Sequence, residues 1–267
     1  GGYVIFQAGI SLTNFSTQKF FDKKAWNPFP IGDGQKLSLR VQTNGDYYHA
    51  VSLSFTEPWL GGRKPNALSV GVYYSYQDDG FWNTTGTSEY YIGILGGSVS
   101  LATRLKWPDD YFTFVHGLAY QQYNVKNYTT LTAMPTGISN NINYNFTLAR
   151  NSVDQLIYPR QGSDISLAAQ MTFPYSLVNG KDYSSLSPAE RYKWLEYYKI
   201  NFRAAWYFNL FDDLVVSTRA RFGFLGQYNS KVGYSPFERF YLGGDGLTGY
   251  QLDGRELVAL RGYDESS

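Results

Sequence analysis

Along most of this 267-residue chain, apolar and polar residues alternate one by one. In "KLSLRVQT", residues 36–43, Leu37, Leu39 and Val41 fall on one side while Ser38, Arg40 and Gln42 take the other. Period two is the signature of a strand, whose successive side chains point to opposite faces. The same alternation runs through Val51, Leu53, Phe55; Leu68, Val70, Val72, Tyr74; and Ile142, Tyr144, Phe146, Leu148. It returns in Ile165, Leu167, Ala169, Met171, Phe173; in Ile200, Phe202, Ala204, Trp206, Phe208; and in Leu214, Val216, Thr218, Ala220, Phe222. With 4–12, 92–105 and 112–120, this predicts about ten strands, each long enough to cross a hydrocarbon layer when tilted. Within 92–105 the apolar positions change parity, from Ile92 and Ile94 to Val99 and Leu101 across Gly96-Gly97, which predicts a bulge.

Alternation alone fits either a soluble sandwich, whose apolar faces point inward, or a membrane barrel, whose apolar face meets lipid. Two features favour the barrel. Aromatics gather at the ends of the apolar stretches (Tyr47, Tyr48, Trp59; Tyr73, Tyr74, Tyr76; Tyr90, Tyr91, Trp107; Tyr197, Tyr198), where an interfacial girdle belongs. The connections also alternate in length, short at "GGRKPN", "KWPDDY" and "FDD", long at "DDGFWNTTGTSE", "NYTTLTAMPTGIS" and "LVNGKDYSSLSPAERYKWL". The exception is 13–35, a long connection on the short-turn side. These features predict an all-β, antiparallel transmembrane barrel wall, with Leu37, Leu53, Val70, Phe146, Leu167, Phe202 and Val216 facing lipid.

Composition agrees. Tyr (25), Phe (18) and Trp (6) are abundant, yet the mean hydropathy is negative, as when alternation hides the apolar residues. No apolar run approaches the ~18 residues of a membrane helix. On composition alone a secreted soluble β-protein stays open. A net charge of +1 implies no broad attraction to nucleic acid, and the absence of cysteine excludes disulfides and thiolate metal sites. The opening "GGYVIFQAGISL" has neither a basic region nor a cleavage site, so the chain is expected to begin inside something longer or to be a processed piece.

Chemistry-bearing clusters are few. His49 and His116 are too few for a histidine-rich metal cluster. A histidine with paired carboxylates at the rim of a ten-stranded barrel would be a protease arrangement, and Asp78-Asp79, Asp109-Asp110 and Asp212-Asp213 are available. Each pair, however, sits in a turn where Asp caps the backbone, and two of the three lie at the opposite end from His49. "GGDGLTG" lacks the Gly-Lys-Ser/Thr ending of a phosphate loop. The expectation is therefore a protein with no catalytic site, metal or cofactor. On the polar parity stand Arg40, Lys199, Arg203, Arg219 and Arg221. They are either a solvated pore lining or anchors for something anionic folded inside.

The last distinctive stretch, "FERFYLGGDGLTGYQLDGRELVALRGY" at 237–263, packs six glycines and five aromatics into one loop. With Phe240, Tyr241, Gly243 and Gly244 followed by Arg261, Gly262 and Tyr263, it resembles the sixth extracellular loop of the BamA family of outer-membrane β-barrel assembly factors. "FQAGISLTNF", "SLSFTEPWLGGRKPN" and the Asp-x-x-x-x-Pro-x-x-Gly hairpin in "NSVDQLIYPRQGSDISLAA" are similar to family elements in the same order. "FTEPWLGG" looks most like Bacteroidota versions. The resemblance implies a sixteen-stranded barrel preceded by POTRA domains, of which 1–267 would supply the second to eleventh strands plus the loop at 226–267. It implies insertion of β-barrel proteins into the outer membrane, with unfolded barrel clients, accessory lipoproteins, the bilayer and lipopolysaccharide as partners. Long loops would be extracellular and short turns periplasmic. In the family the motif arginine is held against the inner wall by strands that follow the loop. A polypeptide secretion pore of the same superfamily is the alternative.

Overall fold

Among the described residues, ten strands pair in chain order into one antiparallel sheet, open between its first and last members. They are β1 (Phe6–Phe15), β2 (Ile31–Thr43), β3 (Tyr48–Glu57), β4 (Asn66–Asp78), β5 (Tyr91–Arg104), β6 (Phe112–Lys126), β7 (Gly137–Asn151), β8 (Gly162–Thr172), β9 (Tyr198–Phe211) and β10 (Leu214–Gly226). The structure, a computed structural model, describes residues 6–45, 47–62, 66–78, 90–128, 133–212, 214–243, 252, 254–260 and 262–263.

Register turns the alternation into two faces. One cross-strand row reads Leu12, Leu37, Phe55, Val70, Val99, Leu118, Tyr144, Met171. A row on the reverse reads Gly9, Arg40, Ser52, Tyr73, Gly96, Gln121, Asn141. The seven residues expected to face lipid all share the apolar face, and Arg40, Lys199, Arg203, Arg219 and Arg221 all share the polar one. The apolar face is uncovered: Leu118 is 61% and Val99 50% exposed. A continuous exposed apolar surface of this extent is a contact surface for something apolar. His116 belongs to it, stacked on Phe114 at 5.3 Å.

The bulge expected at Gly96-Gly97 is absent. β4 pairs with β5, and β5 with β6, without interruption from Tyr91 to Thr103. Ile92 and Ile94 instead lie on the polar face, at the end where the long connections fold over it. There they are buried with Tyr123, Val125, Leu195, Tyr197, Val232 and Phe237. The parity change therefore marks where the inner face passes from a wet wall to an apolar core, with the backbone register unchanged.

At one end the connections are 16–30, 58–65, 105–111, 152–161 and 212–213; at the other they are 44–47, 79–90, 127–136 and 173–197. The alternation in length holds apart from three members. Connection 16–30 is long on the short side, as the sequence implies; 152–161 joins it there, and 44–47 is short on the long side. In 152–161, Asp154 accepts the backbone N–H of Arg160 at 3.0 Å and of Gln161 at 3.3 Å, which fixes the turn. The long connection 173–197 carries two short helices, α1 (Tyr175–Val178) and α2 (Pro188–Arg191). A capping box between Ser187 and Glu190 closes α2.

Candidate functional site

After β10 the chain turns back and settles on the polar face, ending in two short strands, β11 (Phe240–Leu242) and β12 (Glu256–Val258), paired in parallel. Apolar contact fixes its first part. Phe237 is fully buried and stacks on Tyr123 of β6, ring centroids 4.0 Å apart. The ring of Phe240 lies against Gly223 of β10, where an added Cβ would meet it at 2.8 Å, and under the ammonium of Lys199 at 4.9 Å. Gly223 is thus a seat for the ring because it has no side chain.

Charge fixes the remainder. Lys199 of β9, 7% exposed, lies 3.3 Å from Glu238 and 3.3 Å from Glu256. Glu256 also takes hydrogen bonds from Arg221 at 2.5 Å and Asn201 at 2.9 Å. Tyr123 donates to Glu238 at 3.4 Å. Burial pushes the Glu238 carboxyl up, against the pull of Lys199 and the Tyr123 hydroxyl. Partial burial works the same way on Glu256, but Arg221, Lys199 and Asn201 together hold it below the usual carboxylate range. The two acids share one buried ammonium, and among the described residues Glu256 alone has a second cation, Arg221.

A polar ladder supports the site. Gln121 donates to the Tyr73 hydroxyl at 2.6 Å and accepts from Asn141 at 3.0 Å, and Asn141 and Gln170 donate to the Tyr197 hydroxyl at 3.0 and 2.6 Å. The ladder reaches the site through Gln121, whose Oε1 lies 3.3 Å from the Tyr123 hydroxyl.

Of the basic set, Lys199 and Arg221 are anchors for acidic side chains. Arg203 and Arg219 line, with Arg221, Asp164 and Ser166, a cavity of about 340 Å³ farther along β9 and β10. Arg40 stands far across the sheet, on β2. None of these three makes an ion pair among the described residues. Phe240 and Tyr241 form β11, with the guanidinium of Arg255 4.6 Å over the Tyr241 ring. Gly243 and Gly262 adopt positive φ, +123° and +88°, and Tyr263 is exposed. Gly244 and Arg261 lie outside the described residues, as do Asp46, Asp79 and Asp213; His49 shares a hydrogen bond with Thr43 at 3.0 Å.

Sequence reasoning missed Glu238, Glu256, Phe237, Tyr123 and Gly223. The available signals were a glutamate set between aromatics in "FERFY" and a glycine on the polar parity of β10. Gly223→Leu should push Phe240 off its seat, an overpacking cost of ~1–3 kcal/mol. The expected readout is faster proteolytic cleavage within 227–243, with the sheet's own thermal transition unchanged.

Comparison with known proteins fits this geometry. The family model described as "Omp85 superfamily domain" matches residues 31–266, from β2 to beyond β12. Among solved structures, the chain is similar to BamA from Haemophilus ducreyi lacking POTRA domains 1–3. The identity is 20%, the TM-score 0.61, and the match covers 91% of this chain and 42% of that one. The chain thus spans less than half the length of that shortened chain, and the likeness shows a shared fold: an antiparallel wall similar to the BamA barrel. With a family match running over most of its length, the chain belongs to the Omp85 superfamily.

Proposed function

We propose that the protein carrying this chain folds and inserts other β-barrel proteins into the outer membrane, as the central subunit of an assembly machine of the BamA type. The carrying observation is the pair of opposed faces: one continuous apolar surface across the sheet, and a polar reverse gripping an aromatic and acidic segment. The first suits lipid. The second suits a wall whose interior is occupied rather than left as an open channel. Burial of the client's own apolar face supplies the free energy, so neither ATP nor a cofactor is required. The machine lowers a kinetic barrier by thinning the bilayer and templating strand pairing. Clients are unfolded barrel proteins and accessory subunits are lipoproteins; the long connections face outward and the short ones the periplasm. Arg261, Gly262 and Tyr263 complete the motif; in the intact protein Arg261 would pair with a carboxylate of the strands that follow, a contact whose planar fork lysine would reproduce only in charge.

Depletion of the intact parent protein tests this reading. The expected result is a general fall in folded outer-membrane barrels, read by heat-modifiable migration. Loss of a single exported polypeptide, with the barrels intact, would instead establish a secretion pore.

A further inference from the structure

The wall rows beneath the anchored segment read Lys199 with Leu225, Asn201 with Gly223, Arg203 with Arg221, and Ala205 with Arg219. The segment steps down them in order: Glu238 meets Lys199, Phe240 lies on Gly223, and Glu256 meets Arg221. Because β11 and β12 are parallel, both run toward the last of these rows. Arg203 and Arg221 stand directly opposite each other, with Arg219 two residues along β10 on the same face. Like charges so placed repel unless an anion lies between them. Glu256 serves Arg221, whereas Arg203 and Arg219 make no ion pair among the described residues. Asp164 shares the row of Arg219 but stands two strands away, ~9.6 Å at the usual strand spacing, with Ala205 between them. The short side chain of Ala205 leaves room there, within the cavity of about 340 Å³ that the three arginines line.

We propose that this cavity receives Asp264 and Glu265, the two acids that follow the Arg261-Gly262-Tyr263 motif and lie outside the described residues. Direction and length bring them there. Val258 ends β12 two residues past Glu256, ~7 Å farther along at the usual strand rise, level with the row of Ala205 and Arg219. The Tyr263 N–H then donates to the Leu260 carbonyl at 3.2 Å, with Gly262 at φ +88°. This is a tight turn with glycine at its third position, and it directs the chain back along 258–260. Residues 264 and 265 would therefore return to the level of Arg219 and Arg203, two carboxylates for two guanidiniums. Each would gain a charge-assisted bond to the planar fork that arginine offers. Of the other acids in this segment outside the described residues, Asp253 precedes Gly254, whose place beside Glu238 is toward the opposite end. Asp245 offers a single carboxylate. The pairing would serve an insertase and a secretion pore alike.

The intact parent protein in detergent, carrying Ser266→Cys as its only cysteine, tests the pairing through its rate of labelling by a thiol reagent. Arg203→Gln with Arg219→Gln should raise the rate about tenfold, and Asp264→Asn with Glu265→Gln should do the same. All four changes together should give no more than either pair, because both pairs remove one interaction. Arg219→Glu with Asp264→Arg, which exchanges the charges, should bring the rate back toward that of the reporter alone. Heat-modifiable migration checks that the barrel of each variant is folded. An unchanged rate in the arginine pair would mean a solvated pore lining and overturns the proposal. So do additive effects of the two pairs, which would mean independent contacts. An arginine effect reproduced by Asp245→Asn, and not by the changes at 264 and 265, overturns it in favour of the glycine-rich stretch. Protection that appears only on adding inorganic phosphate would mean an anion from solution, and overturns it too.

Discussion

Lys199→Met should release the 237–258 segment from the wall, at a cost of ~3–5 kcal/mol to the anchored state. The substitution keeps the stem that packs beside Phe240 but leaves Glu238 and Glu256 facing each other without their shared ammonium. Removing one partner of a buried ion pair is worse than never having had the pair, because the remaining charge is still desolvated. The chain has no cysteine, so Ser235→Cys, at a buried position, gives a unique reporter that a thiol reagent reaches only when the segment lifts. The labelling rate should rise by two to three orders of magnitude in the Lys199→Met background. A rate equal to that of the reporter alone would mean that the ion pairs do not hold the segment. The two acids should respond to pH in opposite senses. Glu256, held low, favours the anchored state above the ordinary carboxylate range, and that contribution fades as the pH falls through its lowered value. Glu238, raised by burial, suits the site when protonated, and its contribution fades as the pH rises through its raised value. Glu256→Gln should therefore remove the loosening on the acid side, and Glu238→Gln the loosening at higher pH.

Phe237→Ala should have an effect of similar size for a different reason. The ring is fully buried against Tyr123 at the centre of the apolar cluster formed by Ile92, Ile94, Val125, Leu195 and Tyr197. Truncating such a ring costs ~3–5 kcal/mol, through lost transfer energy and the cavity left behind. Because the cluster ties the 173–197 connection to the segment after β10, the variant should loosen both. Proteolysis should then cut at 181–186 as well as within 227–243. Phe237→Leu, which refills most of the volume, should restore protection at both places. Cutting confined to 227–243 would mean that the two connections are anchored independently.

The wall was legible from sequence because alternation is dictated by geometry: a pleated strand with one face in an apolar medium and one in a polar medium leaves no freedom in parity. Ile92 and Ile94 obey the same rule but were misread. Their parity is that of the polar face, and sequence cannot tell an isoleucine facing lipid from one facing a core made by distant loops. The basic residues were legible as a set, whereas the division between them was not. Lys199 and Arg221 became anchors because the chain after β10 brings Glu238 and Glu256 back to them, a contact across 39 and 35 residues of sequence. Arg40 has the same parity and chemistry, yet no described residue of that segment forms an ion pair with it. The seat at Gly223 has meaning only once Phe240 lies on it.

The central claim is that this wall belongs to a machine that accelerates barrel insertion without an energy source. It is tested most directly by reconstituting the intact parent protein, with its accessory subunits, into vesicles of fixed lipid composition and adding a urea-denatured barrel client without nucleotide. The account expects folding, read by heat-modifiable migration, to run at least tenfold faster than in empty vesicles, and to slow when the parent carries Lys199→Met. Folding at the rate of empty vesicles, while the same preparation passes a polypeptide across the membrane, would contradict it.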